Sequence, residues 1–471
     1  MVETPLDPPR NAVAALRPYF APALRYVGWF AFFLLLAPVI GPRGYGLFML
    51  ALSGIAIIEA LLAAPVAQAL VNLAVVEERH WSTALVTMIV TGAGASGALY
   101  ALSNTLGMMM GEAAIGDMFR SLAILPVLGA LTVVPMAALR RQGRDGPVIA
   151  ASAAGLAAGG GIALSMAWAG AGPWSLVAQI VVQRLVECTA LWGMLGERIG
   201  IVWSRRRFND LVGALDWRAL AVAWPAVSRL ALCLVTGLIL GPTAAGLVML
   251  AARPAKAVAD IFLAGTAERS PSAIVGRACR VVFPALLASA LLPVALLPIV
   301  DLRWWGAVLP AQILLLGGIP AAVIFARTVC AQGRPAEPLW PLMQAVGGIV
   351  VVALAAPSGL VTIAMASVGW AAVIALVSLW PIRRTLGAGW RAALADAVRP
   401  CGGAVIAGLI AFLLAGPIGS ALDPVPALCL LSAACWLAYL VIRGEPATAE
   451  RPIAPLTAAA MQPGSGANSG L

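Results

Sequence analysis

The sequence predicts an all-helical, polytopic membrane protein with about fourteen transmembrane helices, arranged as two parallel six-helix lobes plus two C-terminal helices. Three observations predict this architecture: a composition that only lipid can solvate, basic residues that gather in alternate loops, and one segment that occurs twice along the chain. Each observation constrains a different feature, namely the solvent, the orientation and the internal symmetry.

The composition excludes an ordinary soluble protein. Hydrophobic residues make up 62% of the 471-residue chain, charged residues make up 11%, and the mean hydropathy is +0.96, whereas soluble domains carry about 25% charged residues. Apolar runs of about twenty residues, the length that crosses the hydrocarbon of a bilayer, follow one another along the sequence. The predicted spans are 20–40, 45–70, 82–104, 117–137, 147–169, 173–195, 219–240, 243–265, 279–300, 307–329, 340–356, 358–381, 398–419 and 425–442.

Loop charge predicts the orientation, because cytoplasmic loops of membrane proteins collect Arg and Lys. With these spans, alternate loops carry arginine clusters such as 140–144 and 205–207, while the intervening loops hold almost only Arg43 and Arg303. This alternation supports the number of spans and predicts that both termini are cytoplasmic. The formal net charge of +10 is explained by these clusters, so nucleic acid is not predicted as a partner.

One segment is repeated. Residues 40–53 read IGPRGYGLFMLALS and residues 240–253 read LGPTAAGLVMLAAR, and both copies contain a Gly-Pro pair followed by a glycine four residues after the proline. Each copy occupies the turn between the first and second helix of a six-helix set. Since six helices separate the copies, the two sets have the same orientation, as in transporters built by duplication.

These observations divide the chain into six parts. They are a cytoplasmic N-terminal tail at 1–18, an N-lobe at 19–195, a basic cytoplasmic linker at 196–218, a C-lobe at 219–382, two further helices at 383–442 and a disordered cytoplasmic tail at 443–471.

Ionisable residues inside the spans are the candidate functional residues, because an ionised group deep in hydrocarbon costs at least about 2.5–3.5 kcal/mol and therefore faces a cavity or a partner. Arg229 and Arg253 lie roughly 15 Å deep, near the midplane, at 1.5 Å per helical residue. The candidate cations for an anionic group such as a diphosphate are Arg25, Arg184, Arg229, Arg253 and Lys256. The candidate acids for ion coupling or charge pairing are Glu59, Glu187 and Asp260.

Two interpretations of these charges stay open. Arg184 with Glu187, and Lys256 with Asp260, have the spacing of ion pairs that only hold a helical bundle together. Arg25 has the alternative of reaching the inner membrane surface with its long side chain. However, the candidate cations outnumber the candidate acids, so a cavity between the lobes would be positive and suited to phosphate.

No enzyme, cofactor or metal site is predicted. The single histidine, His80, is interpreted as a solvated loop residue, and the seven cysteines form no CxxC pair. The glycines at 159–161 and 347–348 lie within spans, where close helix packing explains them better than phosphate binding.

Three segments carry a resemblance to a known family: the turn GPRGYGLFMLALS, the segment LGPTAAGLVMLAARPAKAVADIF, and the loop ALRRQGRDGPVIAASAAG that leads to AWAGAGPWSLVAQIVVQRLVECTALW. They look like the polysaccharide-transporter branch, the Wzx-type flippases, of the superfamily shared with MATE drug exporters. The resemblance covers about residues 20–440 and is strongest from Arg140 to Trp192.

The resemblance implies a flippase that moves undecaprenyl-diphosphate-linked oligosaccharide across the bacterial inner membrane by alternating access, for exopolysaccharide, lipopolysaccharide or other surface polysaccharide biosynthesis. It implies inner-membrane lipids as surroundings and a polysaccharide polymerase and export machinery as partners. Two alternatives stay open, a MATE-like ion-coupled exporter of small cations, which should prefer an acidic cavity, and a membrane component of a polysaccharide assembly complex.

Overall fold

The computed structural model describes residues 12–73, 76–196, 199–214, 217–263, 302–318, 320–321, 323–324, 327 and 339–386. Within these ranges the side chains at 12–34, 64, 68, 71–72, 217–226, 254–263, 302, 339, 341 and 385–386 lie outside the description. Every regular element in these ranges is helical. The elements are α1 (Ala12–Asn72), α2 (Glu78–Met109), α3 (Ala113–Leu122), α4 (Leu125–Arg141), α5 (Asp145–Trp168), α6 (Trp174–Leu195), α7 (Arg205–Gly213), α8 (Trp217–Leu240), α9 (Pro242–Leu263), a 3-10 turn (Leu302–Ala307), α10 (Val308–Leu316), α11 (Leu339–Ala355), a 3-10 turn (Ala356–Ser358) and α12 (Leu360–Leu386).

These helices follow the predicted spans wherever the chain is described. The first two spans are the two arms of α1, which breaks at Gly41 with φ 67° and ψ 168°, a conformation that favours glycine because it has no Cβ. The spans predicted at 279–300, 398–419 and 425–442 lie outside the described residues. The predicted number of about fourteen helices therefore stays a prediction.

The protein is a multi-pass membrane protein. Among the described residues, the helical segments long and apolar enough to cross a bilayer are Leu35–Ala67, Glu78–Met109, Ala113–Arg141, Asp145–Trp168, Trp174–Leu195 and Leu360–Arg384.

Polar contacts at the helix ends define two ends of the helical bundle. On one side Arg207 Nη2 lies 2.5 Å from Glu77 Oε2, and Arg144 donates to the carbonyl of Met194. On the other side Arg43 Nη2 lies 2.7 Å from Glu112 Oε1. We call the first the basic side and the second the opposite side.

The two copies of the repeated segment pack against each other on the opposite side. Gly41 and Gly241 both have positive φ, 67° and 88°, and each precedes the proline that begins a new helical arm. A Cβ placed on Gly46 would lie 1.7 Å from the carbonyl oxygen of Pro242, and a Cβ on Gly246 would lie 2.3 Å from that of Pro42. Such reciprocal contacts are typical of two segments related by a two-fold axis.

The 3-10 turn Leu302–Ala307 adds a second contact on the opposite side. Trp304 is fully buried, its ring centroid lies 5.8 Å from that of Tyr45 in an edge-on arrangement, and its Nε1 donates to the carbonyl of Ala37 at 3.4 Å. Arg303 donates to the carbonyl of Pro38. The C-terminal part of the chain is therefore closed against both arms of α1 at this level.

The linker predicted at 196–218 contains a helix, α7, that the sequence analysis did not predict. Leu211 on its inner face is buried in an apolar cluster with Ala69, Leu70, Ala84 and Leu85 at the ends of α1 and α2. The helix forms because this short segment gains an apolar docking surface while Arg205 and Arg206 stay exposed.

The interpretation of His80 as a solvated loop residue is wrong. It lies in the first turn of α2, its side chain is 4% exposed, and its Nε2 is 3.5 Å from Asp210 Oδ2 on α7. Its Nδ1 accepts a hydrogen bond from the backbone N–H of Glu77 at 3.0 Å. The histidine is buried because α7 covers this end of α2.

Candidate functional site

The sequence-predicted cations and acids that the structure describes form two groups, apart from which Arg327 lies with its guanidinium 3.5 Å from the centroid of the Trp340 ring. One lies among α1, α5 and α6 and contains Glu59, Arg184 and Glu187. The other lies where the second arm of α1 meets α8 and α9, and it contains Arg253 and Arg229.

In the first group, Arg184 lies between two carboxylates. Its Nη2 is 3.7 Å from Glu59 Oε2 and its Nη1 is 3.6 Å from Glu187 Oε2. The hydroxyl of Ser152 donates to Glu187 Oε1 at 2.7 Å, which ties α5 to the same group. One cation and two carboxylates leave a net charge of −1 when all three are ionised, so the charge of Arg184 is already compensated.

Glu59 has one carboxylate oxygen, the buried Oε1, that makes no hydrogen bond among the described residues. This oxygen faces Gly129 on α4, where an added Cβ would lie 3.0 Å from it. A buried carboxylate oxygen without a hydrogen-bond partner among the described residues is suited to holding a proton or a small cation.

Close packing of α5 on α6 positions this first group. A Cβ on Gly155 would lie 2.7 Å from the carbonyl oxygen of Gln183, and one on Gly159 would lie 2.6 Å from that of Gln179. Two glycines four residues apart let two membrane helices approach to backbone contact. The polar residues of α6 therefore face α5 instead of lipid, and the interpretation of the glycine at 159 as a packing residue is confirmed.

In the second group, Arg253 reaches from α9 to α1. Its Nη2 lies 3.8 Å from the sulfur of Met49, and its guanidinium lies beside the phenol of Tyr45. Both Tyr45 and Met49 are buried. Arg253 therefore lies at the contact between the N-terminal and C-terminal halves of the chain, near the middle of its span.

Arg229 occupies a comparable position on α8. It shares a helix face with Cys233 and Gly237, since the three residues are spaced four apart. Cys233 is fully buried, and a Cβ on Gly237 would lie 2.2 Å from Leu50 on α1. This face of α8 thus points toward α1, and the half-buried Arg229 lies one turn further toward the basic side.

The remaining predicted residues are Arg25, Lys256 and Asp260. Arg25 lies on the first arm of α1, and the other two lie on α9, but their side chains lie outside the described part of the structure. Their suggested roles stay predictions.

Two residues that line the contact between the halves, Tyr45 and Trp304, were not among the predicted site residues. The sequence contains one relevant difference between the two copies of the repeat, since Tyr45 is aligned with Ala245. No sequence pattern marked Trp304, since its partner, the carbonyl of Ala37, belongs to a distant helix end.

Comparison with known proteins agrees with the predicted resemblance. Residues 35–267 match the model of a family described as "Polysaccharide biosynthesis protein". A search of curated proteins found no match. The resemblance to the polysaccharide-transporter branch is confirmed by this match together with the fold similarities below.

Three solved structures share the fold at low sequence identity. The lipid II flippase MurJ in an inward closed conformation has a TM-score of 0.65 at 8% identity, covering 92% of this chain and 97% of that one. An inward-facing MATE-family multidrug transporter has a TM-score of 0.60 at 13% identity, covering 79% and 98%. A MOP-superfamily transporter from Pyrococcus furiosus has a TM-score of 0.54 at 15% identity, covering 79% and 95%. The chain has the fold of MOP-superfamily transporters.

Proposed function

We infer that this chain is a flippase of the polysaccharide-transporter branch of the MOP superfamily. Its substrate is an undecaprenyl-diphosphate-linked oligosaccharide, which it translocates across the bacterial inner membrane by alternating access. The family match and the transporter fold support a membrane flippase. The observation that carries the substrate class is Arg253, a cation held within a span where the two halves of the chain meet.

The proposed architecture has an N-lobe at 19–195 and a C-lobe at 219–382, with two more helices at 383–442. The reciprocal contact of Gly46 and Gly246 supports two parallel lobes, because a two-fold axis between parallel repeats brings equivalent positions of the two copies together. The basic side is the cytoplasm in this proposal, since the arginine-rich loops gather there.

In the proposed mechanism, the diphosphate binds to cations that project toward the space between the lobes. Arg229 and Arg253 lie on faces of α8 and α9 that meet α1, and Arg25 and Lys256 are further candidates. Guanidinium groups bind phosphate oxygens through charge-assisted hydrogen bonds. Separation of the lobes at Gly46 and Gly246 would then expose the sugar to the opposite side. The protein acts as a transporter and not as an enzyme.

Arg184 has a different proposed role from the other cations. Its contacts with Glu59 and Glu187 balance its charge, so it orients the two acids and does not bind the diphosphate. Glu59, whose Oε1 has no hydrogen-bond partner among the described residues, is the candidate site for a coupling ion.

A second candidate function is ion-coupled export of small cations, as in a MATE-family transporter. The observation that favours it is the net negative group around Glu59. Against it, the cations Arg229 and Arg253 occupy the contact between the halves, where a cationic solute would be repelled. Membership of a complex with a polymerase and export machinery is compatible with either function.

We expect a strain that lacks this protein to accumulate lipid-linked repeat units in the inner leaflet and to lose the corresponding surface polysaccharide. The reason is that synthesis of the repeat unit would continue while its translocation stops. Extraction and mass spectrometry of lipid-linked glycans would measure the accumulation, with the complemented strain as control. Unchanged glycan pools, together with altered sensitivity to cationic drugs, would favour the exporter.

We expect the double substitution Arg229→Gln/Arg253→Gln to abolish complementation of that strain. Each charge-assisted hydrogen bond to phosphate contributes about 1.5–3 kcal/mol, or roughly ten- to a hundredfold in affinity. The matched control is Arg79→Gln/Arg140→Gln, which removes two exposed arginines at the basic-side ends of α2 and α4. If the first variant is folded, inserted and still exports glycan, the cations do not bind the substrate.

A further inference from the structure

We propose that the segment 200–206, which precedes and begins α7, is a membrane anchor that binds anionic phospholipid at the basic side. This inference is independent of the transported substrate. Its starting point is an exposed apolar run, because Ile201, Val202 and Trp203 are 77%, 56% and 52% exposed. Exposed apolar side chains on the spanning helices face lipid tails, but this run belongs to irregular chain between α6 and α7.

Hydrogen bonding places the run at the border of the hydrocarbon. The backbone N–H of Ser204 donates to Thr83 Oγ1 at 3.3 Å, and Gly200 lies beside Ser82. Ser82 and Thr83 are in the first turns of α2, where this spanning helix begins on the basic side. The apolar run is therefore level with the interface between headgroups and acyl chains, where tryptophan is enriched in membrane proteins.

The run and the neighbouring arginines are held on a fixed support. Arg207 is 2.5 Å from Glu77 Oε2 and 3.3 Å from Asp210 Oδ2, and Leu211 is buried against the ends of α1 and α2. Trp203 packs on Phe208 with ring centroids 6.1 Å apart. Because α7 is docked in this way, the three apolar side chains and the exposed Arg205 and Arg206 stay adjacent.

This arrangement fits one class of ligand, a phospholipid with a net negative headgroup. Two exposed guanidinium groups supply the partners for its phosphate, and the apolar run supplies the contact for the start of its acyl chains. A soluble phosphate or an acidic protein would use the arginines but would leave the apolar run in water. The linker that joins the proposed lobes is thereby attached to the membrane surface.

The first test counts bound lipid. We would reconstitute the full chain into nanodiscs of phosphatidylglycerol and phosphatidylcholine, extract it gently, and count retained phosphatidylglycerol by native mass spectrometry. Each arginine near an anionic surface strengthens binding about fivefold. The variant Arg205→Gln/Arg206→Gln should therefore retain less phosphatidylglycerol than the unmodified protein. The charge-preserving control Arg205→Lys/Arg206→Lys should keep most of the bound phosphatidylglycerol.

The second test measures depth, and it separates a lipid anchor from a soluble anion site. A spin label at Ile201→Cys, in a chain whose native cysteines are replaced, should be more accessible to oxygen than to a water-soluble nickel complex. A label at Asn209→Cys, on the exposed face of α7, provides the aqueous comparison. Equal retention of phosphatidylglycerol by the Gln variant, or a water-exposed label at position 201, would overturn the proposal.

Discussion

Alanine in place of Gly46 is expected to lower transport strongly, because the added Cβ prevents the two lobes from closing fully on the opposite side. The added Cβ would lie 1.7 Å from the carbonyl oxygen of Pro242 and 3.0 Å from the backbone nitrogen of Gly246. These are backbone atoms, so the clash is relieved only by separating α1 from α9. The reciprocal substitution Gly246→Ala should act in the same way, since its Cβ would lie 2.3 Å from the carbonyl oxygen of Pro42.

Two measurements check this expectation. Glycan export by Gly46→Ala should fall more than about tenfold, the change that corresponds to 1.4 kcal/mol in the closing equilibrium. A cysteine at Ala37, which is buried behind Trp304, should become reactive toward a membrane-impermeant thiol reagent from the opposite side. The matched control is Gly97→Ala on α2, where no atom lies within 4 Å of the added Cβ. Normal export with an unreactive cysteine would show that this contact does not open.

Replacing Arg184 with methionine is expected to destabilise the protein strongly. The substitution leaves Glu59 and Glu187 buried without their shared cation, and breaking a buried ion pair in this way costs about 3–5 kcal/mol. Thermal unfolding of the purified protein in detergent would measure the loss. Arg253→Met is the comparison, since the proposed role of Arg253 is substrate binding. This variant should lose glycan export while its unfolding temperature stays close to that of the unmodified protein.

A rescue experiment distinguishes charge balance from packing. Adding Glu59→Gln and Glu187→Gln to the Arg184→Met variant removes both uncompensated carboxylates while it keeps the side-chain shapes. Most of the lost stability should return, because Ser152 can still donate to the amide at position 187. The opposite outcome is an Arg184→Met variant that has the unfolding temperature of the unmodified protein but fails to export glycan. In that case Arg184 is a substrate-binding cation and our assignment of it is wrong.

The sequence by itself determined where the described spanning helices lie. The thickness of the bilayer sets the length of an apolar span, so α2, α5 and α6 begin and end within a few residues of their predicted limits. Loop charge likewise determined which residues share a side, as the pairs Arg43 with Glu112 and Arg207 with Glu77 show. Both properties depend on local composition, which one sequence contains in full.

Only the tertiary structure decided which side chains meet. The repeat predicted a duplication, but the contact of Gly46 with Gly246 depends on how α1 crosses α9. Helical spacing allowed a pair between Arg184 and Glu187, whereas the contact with Glu59 required α1 to pack beside α6. His80 was misinterpreted for the same reason, since α7 covers it from a distant part of the chain. Hydropathy specifies that a face is buried, and the fit of particular side chains between helices specifies its partner.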